Sequence, residues 1–228
     1  MDNTPIGVLR RFFATGRFEL QKPIVMRKLF ILLTGLFLIS TCLHATVHTV
    51  SNDPNKPAQF TSPTAALAAA APGDTLYIYG SPTSYGTFVV NKSITIIGAG
   101  FNTRKDITYK TVFSTIDLNG TGSPFTLSNV TIDGIYCNDI RIQSGQLIQF
   151  SDITIRNTIV YQNFTSAFGS PVACGSTFTN WLIENSFMGI FSPGGNVSCN
   201  PIAPVTSGFL VKNCLIQSYG GVTANSVT

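Results

Sequence analysis

Four charged residues recur at long, similar intervals: Asp133, Arg156, Glu184 and Lys212, separated by steps of 23, 28 and 28 residues. If successive units stack, these side chains form one outward column whose charge alternates in sign. Such a column is either a polar binding strip, an acid/base site, or a cross-strand ladder in which each exposed neighbour pair contributes at most ~1 kcal/mol. The alternation favours the ladder. It also opposes capture of a divalent cation, because a Ca²⁺ site gathers six to eight oxygen ligands and interleaved positive charges repel the ion. If the column also serves as a binding strip, Asp133, Arg156, Glu184 and Lys212 are the expected binding residues. No catalytic residue, metal site or cofactor is assigned.

The other candidates for chemistry are weaker. Asp117-Leu-Asn119-Gly-Thr121-Gly122 matches the first half of a calcium loop, but Pro124 stands at the eighth place and Ser128 where a bidentate Glu belongs. A turn is the better reading of that stretch. After residue 45 the only histidine is His48, so a His-ligated metal site or a Ser-His-Asp triad has no raw material. Acids outside the column, Asp139 and Asp152, could join Asp133 and Arg156 only in an unpatterned site. Trp181 could offer a sugar platform, yet it falls in an apolar repeat position and reads as core. Cys137, Cys174, Cys199 and Cys214 remain after residue 45. Cys174 and Cys199 lie one repeat apart in equivalent loop regions and can pair; closing that loop would stabilise by roughly 3–4 kcal/mol in the chain-entropy model. Cys137 and Cys214 occupy different columns and read as buried thiols.

What must position these residues is a repeat. Leu127-Ser-Asn-Val130-Thr-Ile132-Asp-Gly134 is followed by Phe150-Ser-Asp-Ile153-Thr-Ile155-Arg-Asn157. Phe178-Thr-Asn-Trp181-Leu-Ile183-Glu-Asn185 and Thr206-Ser-Gly-Phe209-Leu-Val211-Lys-Asn213 complete the set. A fixed period of this size marks a solenoid or array. In each unit a Ser/Thr-Asn/Asp/Gly pair reads as a bend, and three positions of apolar alternation read as strand. Gly134, Asn157, Asn185 and Asn213 then close the strand, and Gly and Asn accept a left-handed backbone most cheaply. Stacked coils would align three apolar columns: Val130/Ile153/Trp181/Phe209, Ile132/Ile155/Ile183/Val211, and Tyr136/Ile159/Phe187/Leu215. Each buried side chain would contribute roughly 1.5–3 kcal/mol. The Asn column is expected at an inner corner. The units lack both the leucine density and the helix of a leucine-rich repeat.

The start of the chain is of another kind. Met26-Arg27-Lys28 precedes an uncharged, mostly apolar run from Leu29 to Leu43, too short to span a membrane. It reads as a secretory signal peptide over 26–45, with residues 1–25 an upstream extension ahead of the true start. The expected mature end is Thr46, and no transmembrane segment is expected after cleavage. Residues 1–45 carry the whole net charge of +4, so the remainder is neutral. That neutrality removes any argument for a nucleic-acid partner or an anionic membrane surface. Residues 46–75 are expected to form an N-terminal cap, with a short helix begun by Ser62-Pro63 and stopped by Pro72-Gly73. Residues 76–228 are expected to form coils, incomplete at the C-terminal end because fewer residues than one coil follow Asn213.

Ala65-Ala66 through Ala71-Pro72-Gly73-Asp74-Thr75-Leu76, then Tyr85-Gly86 and Ser93-Ile94-Thr95-Ile96-Ile97-Gly98, resembles the opening of secreted right-handed parallel β-helix proteins of the pectate-lyase-like superfamily. The resemblance covers residues 46–228. It implies an all-β, right-handed parallel β-helix (a solenoid) with a short N-terminal capping helix, exported to the cell surface or medium. That superfamily includes lyases, hydrolases, esterases and copies without known activity, so fold leaves function open. A non-catalytic adhesion or glycan-binding module, whose partner is a polysaccharide or cell-surface glycan, explains the neutral charge and the lack of a catalytic cluster. A polysaccharide lyase or hydrolase is the alternative. An ice- or crystal-binding face would want an unbroken Thr row, and Thr95, Thr131 and Thr154 give way to Leu182 and Leu210.

Overall fold

The computed structural model describes residues 45–100, 109–142, 147–166, 176–192 and 205–219, all within the unit Ala45–Thr228. The expected upstream extension at 1–25 and the signal peptide up to His44 lie outside the described residues, as do Cys174 and Cys199.

The described chain is all-β apart from one short helix, and its strands lie in two sheets. The first sheet contains β1 (Val47–Val50), β2 (Thr75–Ile78), β4 (Ile94–Ile97), β6 (Phe125–Asp133), β8 (Ile148–Arg156), β10 (Thr177–Thr179) and β13 (Val205–Ser207) in that order. Beyond β8, the short strands β11 (Leu182–Glu184) and β14 (Leu210–Lys212) extend the same sheet. The second sheet runs β3 (Thr87–Val90), β5 (Val112–Leu118), β7 (Tyr136–Ile142), β9 (Ile159–Ser166), β12 (Phe187–Ser192) and β15 (Leu215–Tyr219). Every strand pairing is parallel, and from β2 to β9 the chain alternates strictly between the sheets. Parallel neighbours cannot be joined by a tight turn, so each pair needs a long connection. Between β1 and β2 the connection holds the short helix, and from β2 onward it passes through a strand of the other sheet.

Left-handed residues make the corners. The first bend of each unit falls at Asn129, Asp152, Asn180 and Gly208, with φ of 54°, 56°, 55° and 67°. β6 and β8 run through this bend, whereas in the next two units it separates β10 from β11 and β13 from β14. The second bend falls at Gly134, Asn157, Asn185 and Asn213, with φ of 70°, 50°, 50° and 52°. Short polar side chains tolerate this conformation, which is why Asn serves at three of the four. Gly134 has a second reason: a Cβ there would lie 3.0 Å from the Gly100 amide nitrogen. The Asn column stands at the outside of its corner rather than the inside. Asn185 and Asn213 are exposed, and Asn213 Nδ2 reaches Asn185 Oδ1 at 3.4 Å along the surface. A left-handed residue turns its own side chain away from the core side of the bend.

The core lies between the sheets. Val130, Ile153, Trp181 and Phe209 are buried, with Trp181 stacked on Phe209 at 5.7 Å and donating its indole N–H to the Phe150 carbonyl at 3.1 Å. Ile132, Ile155, Ile183 and Val211 align residue for residue. The third expected column is displaced by one position. Tyr136, Ile159 and Phe187 are only half-buried and Leu215 is exposed, while Phe113, Cys137, Val160 and Met188 align as the buried column of the second sheet. The bend at the second left-handed residue resets the alternation: Ile135, Thr158 and Ser186 point inward directly after it. The buried hydroxyls are satisfied locally, Thr158 Oγ1 on the Arg156 carbonyl and Ser186 Oγ on the Glu184 carbonyl, each at 2.8 Å.

The helix α1 (Pro63–Ala69) begins with Pro in its first turn, as the Ser62-Pro63 pair implies, and buries Pro63, Ala66 and Leu67. Ser62 precedes it in extended conformation, but its side chain makes no capping bond. The other end is closed by Lys92, whose ammonium donates to the carbonyls of Leu67 at 2.7 Å and Ala70 at 3.0 Å. A cation at a helix C-terminus satisfies orphan carbonyls and opposes the negative end of the helix dipole. Among the described residues no helix is long and apolar enough to cross a membrane.

Candidate functional site

Asp133, Arg156, Glu184 and Lys212 are consecutive partners on β6, β8, β11 and β14. Each sits directly before its corner residue and one position after the inward Ile132, Ile155, Ile183 or Val211. Alternation therefore sends all four to the outer face of the first sheet. The charges pair in twos: Arg156 Nε meets Asp133 Oδ2 at 2.8 Å and Lys212 Nζ meets Glu184 Oε2 at 2.9 Å. Asp133 also accepts from Asn157 Nδ2 at 2.8 Å. The acids are recessed, at 19% and 18% side-chain exposure, and the bases stand out at 44% and 49%. Among the described residues Arg156 meets Asp133 through Nε alone, which leaves its terminal nitrogens for other acceptors. The column is a ladder of ion pairs whose cationic ends face solvent.

Hydroxyls and amides flank it on the same sheet. Thr75, Thr95, Thr131 and Thr154 are in register, and Leu182 and Leu210 continue that row. Before the first bend, Ser128, Ser151, Thr179 and Ser207 align, as do Thr126, Gln149 and Thr177. Thr126, Leu127, Ser128, Gln149, Ser151, Thr177 and Thr179 line a shallow recess of about 320 Å³.

The remaining candidates do not converge on this face. Asp117 is in β5 and receives a two-pronged ion pair from Arg141, at 2.7 and 3.1 Å, on the second sheet. Asp139 is on the same sheet, bonded by Asn163 Nδ2 at 2.9 Å, so it cannot act with Asp133. Asp152 sits at the first bend and accepts from Asn180 Nδ2 at 3.1 Å. Among the described residues no cluster of three His, Cys, Asp or Glu side chains is arranged to hold a metal ion. Trp181 is 1% exposed and offers no platform. Cys137 is a buried free thiol and Cys214 a half-buried one, and desolvation pushes both thiols up.

Two arrangements escaped the sequence reading. The Asp117–Arg141 pair bridges β5 and β7 at a position where charge does not recur at the repeat period, Thr165 being the next partner. The other is a cluster at the start of the fold. Asp74 accepts from the Thr46 amide at 2.8 Å, the His48 imidazole at 3.0 Å and the Ala71 amide at 2.8 Å. These contacts hold its carboxyl below the usual carboxylate range, the Thr46 amide contributing most. The Pro-Gly-Asp-Thr run marked the turn but not what the carboxylate would hold.

Compared with known proteins, the chain matches no family model, no curated protein and no solved structure.

Proposed function

We propose that the protein is an exported right-handed parallel β-helix module, of the pectate-lyase-like kind, that binds glycan on the outer face of its first sheet without turning it over. The parallel pairing supports the solenoid part of this reading. From β2 onward each return from one strand to its parallel neighbour passes through the other sheet, and such crossovers are right-handed in about 98% of cases. Its sugar-binding part is carried by one observation: the recessed acids and protruding bases of the ladder. Asp133 and Glu184 hold Arg156 and Lys212 in place, so their outward donors are pre-set for hydroxyl or carboxylate oxygens spaced along a chain. The Ser, Thr and Gln side chains beside them add donors and acceptors of the kind a polyol needs.

The same pairing supports the non-catalytic half of this reading. General acid–base cleavage of a glycosidic bond asks for two carboxyl groups flanking one bond. Here each ladder acid is next to a base in the column, and Asp139 belongs to the other sheet. The test is to present the exported protein with a panel of neutral and acidic polysaccharides, scoring retention together with release of unsaturated product and reducing ends. Retention without product is expected. Product formation that disappears in Asp133→Asn would replace this reading with an enzyme.

A further inference from the structure

We propose that the Ala45–Thr46 bond is a processing site, and that the α-ammonium created at Thr46 docks on Asp74 to lock the first strand of the fold. The proposal rests on the export reading for its occurrence, and on the geometry around Asp74 for its consequence. β1 and β2 pair from Val47 opposite Thr75, which places Thr46 beside Asp74. Thr46 is fixed there from both sides: its nitrogen donates to Asp74 Oδ1 at 2.8 Å, and its carbonyl accepts from the Thr75 amide at 2.8 Å. The other carboxylate oxygen takes the Ala71 amide at 2.8 Å and His48 Nε2 at 3.0 Å. Asp74 is only 5% exposed, whereas Ala45, Thr46 and Val47 lie at the exposed surface.

A buried carboxylate is normally matched by a cation. Among the described residues no Lys or Arg pairs with Asp74, and His48 supplies charge only when protonated. Hydrolysis provides the missing partner. A processing endopeptidase adds one water across the Ala45–Thr46 bond. The carbon–nitrogen bond breaks, the leader leaves with the Ala45 carboxylate, and the Thr46 amine takes up a proton. The atom already 2.8 Å from Asp74 then changes from a neutral amide to an ammonium without moving. Charge-assisted hydrogen bonds are roughly twice as strong as neutral ones. Cleavage would thus tighten the attachment of β1, which with β2 and α1 forms the start of the fold.

The experiment compares three forms: the full chain, the chain released at Thr46, and the released chain acetylated on its Thr46 nitrogen. Each is melted as wild type and as Asp74→Asn. The released chain should melt about 2–4 °C above its acetylated form, and the gap should close in Asp74→Asn. The full chain should behave like the acetylated one in its sensitivity to that substitution. Equal melting of the free and acetylated wild types, or a gap that survives Asp74→Asn, overturns the proposal. If Asp74→Asn does not fold, the Thr46 amine itself decides. Its titration, followed by ¹³C NMR after reductive methylation, should lie above the ordinary ~8 of an α-amino group in the folded chain and return to it in urea. An unshifted amine is equally fatal. Because the chain ends are set in vitro, these outcomes are independent of whether export occurs; sequencing the N-terminus of exported protein tests that separately, with Thr46 expected and a retained Met1 contradicting it.

Discussion

Asp74 shows how one side chain can tie the opening of the chain to the first sheet. Its three donors come from Thr46, His48 and Ala71, which lie on either side of the helix in sequence. The folded carboxyl titrates below its unfolded counterpart, chiefly through the Thr46 amide. The stability it contributes is therefore complete above the unfolded value of ~3.9 and is lost as pH falls through the lower, folded value. Melting temperature should drop on the acid side below about pH 4 in the wild type, and Asp74→Asn should flatten that limb while lowering the neutral plateau. Parallel curves from thermal melts between pH 2 and 7 would remove Asp74 from the account. By contrast, Asp133 and Glu184 belong to exposed pairs worth ~1 kcal/mol or less. Their value is positional, holding Arg156 and Lys212 outward.

At the scale of the element, the unit is a strand, a left-handed corner, a strand of the other sheet and a return. Ile155 lies at 0% exposure between Ile132 and Ile183, while Thr154 is outward between Thr131 and Leu182. Ile155→Asp should lower stability by more than about 4 kcal/mol, because it buries an unpaired charge in the column. Thr154→Asp should shift the urea midpoint only slightly. Similar losses from the two would refute the strand phase. That phase was legible in the sequence because two signals agreed: apolar alternation over Val130, Ile132 and their equivalents, and a closing residue of left-handed type. The inward column of the second sheet stands one position away from the one that the sequence periodicity selects, for a physical reason. A left-handed residue interrupts period-two alternation, so Cys137, Val160 and Met188 are inward where an unbroken count selects Tyr136, Ile159 and Phe187. The Lys92 cap on α1 and the Asp117–Arg141 pair were invisible because each joins residues more than 20 positions apart with no repeating partner. Alternating charge at Asp133, Arg156, Glu184 and Lys212 was legible, and so was its pairing. The recession of the acids was not, since it depends on contacts between coils such as the Asn157 amide on Asp133.

Over the whole molecule, the two sheets differ in what they present. The second sheet carries the Asp117–Arg141 and Asp139–Asn163 pairs on its strands, and the first carries the ladder with its hydroxyl rows. Both faces hold an arginine bonded to a carboxylate, which makes the second sheet the natural control for the first. The decisive measurement is the dissociation constant of a retained glycan for Arg156→Ala and Lys212→Ala, set against Arg141→Ala. Loss of a ladder donor should weaken binding about tenfold, the equivalent of ~1.4 kcal/mol, while Arg141→Ala should leave the constant within twofold. Weakening by Arg141→Ala alone, or equal binding by all three variants, would contradict the assignment of the glycan face to the first sheet.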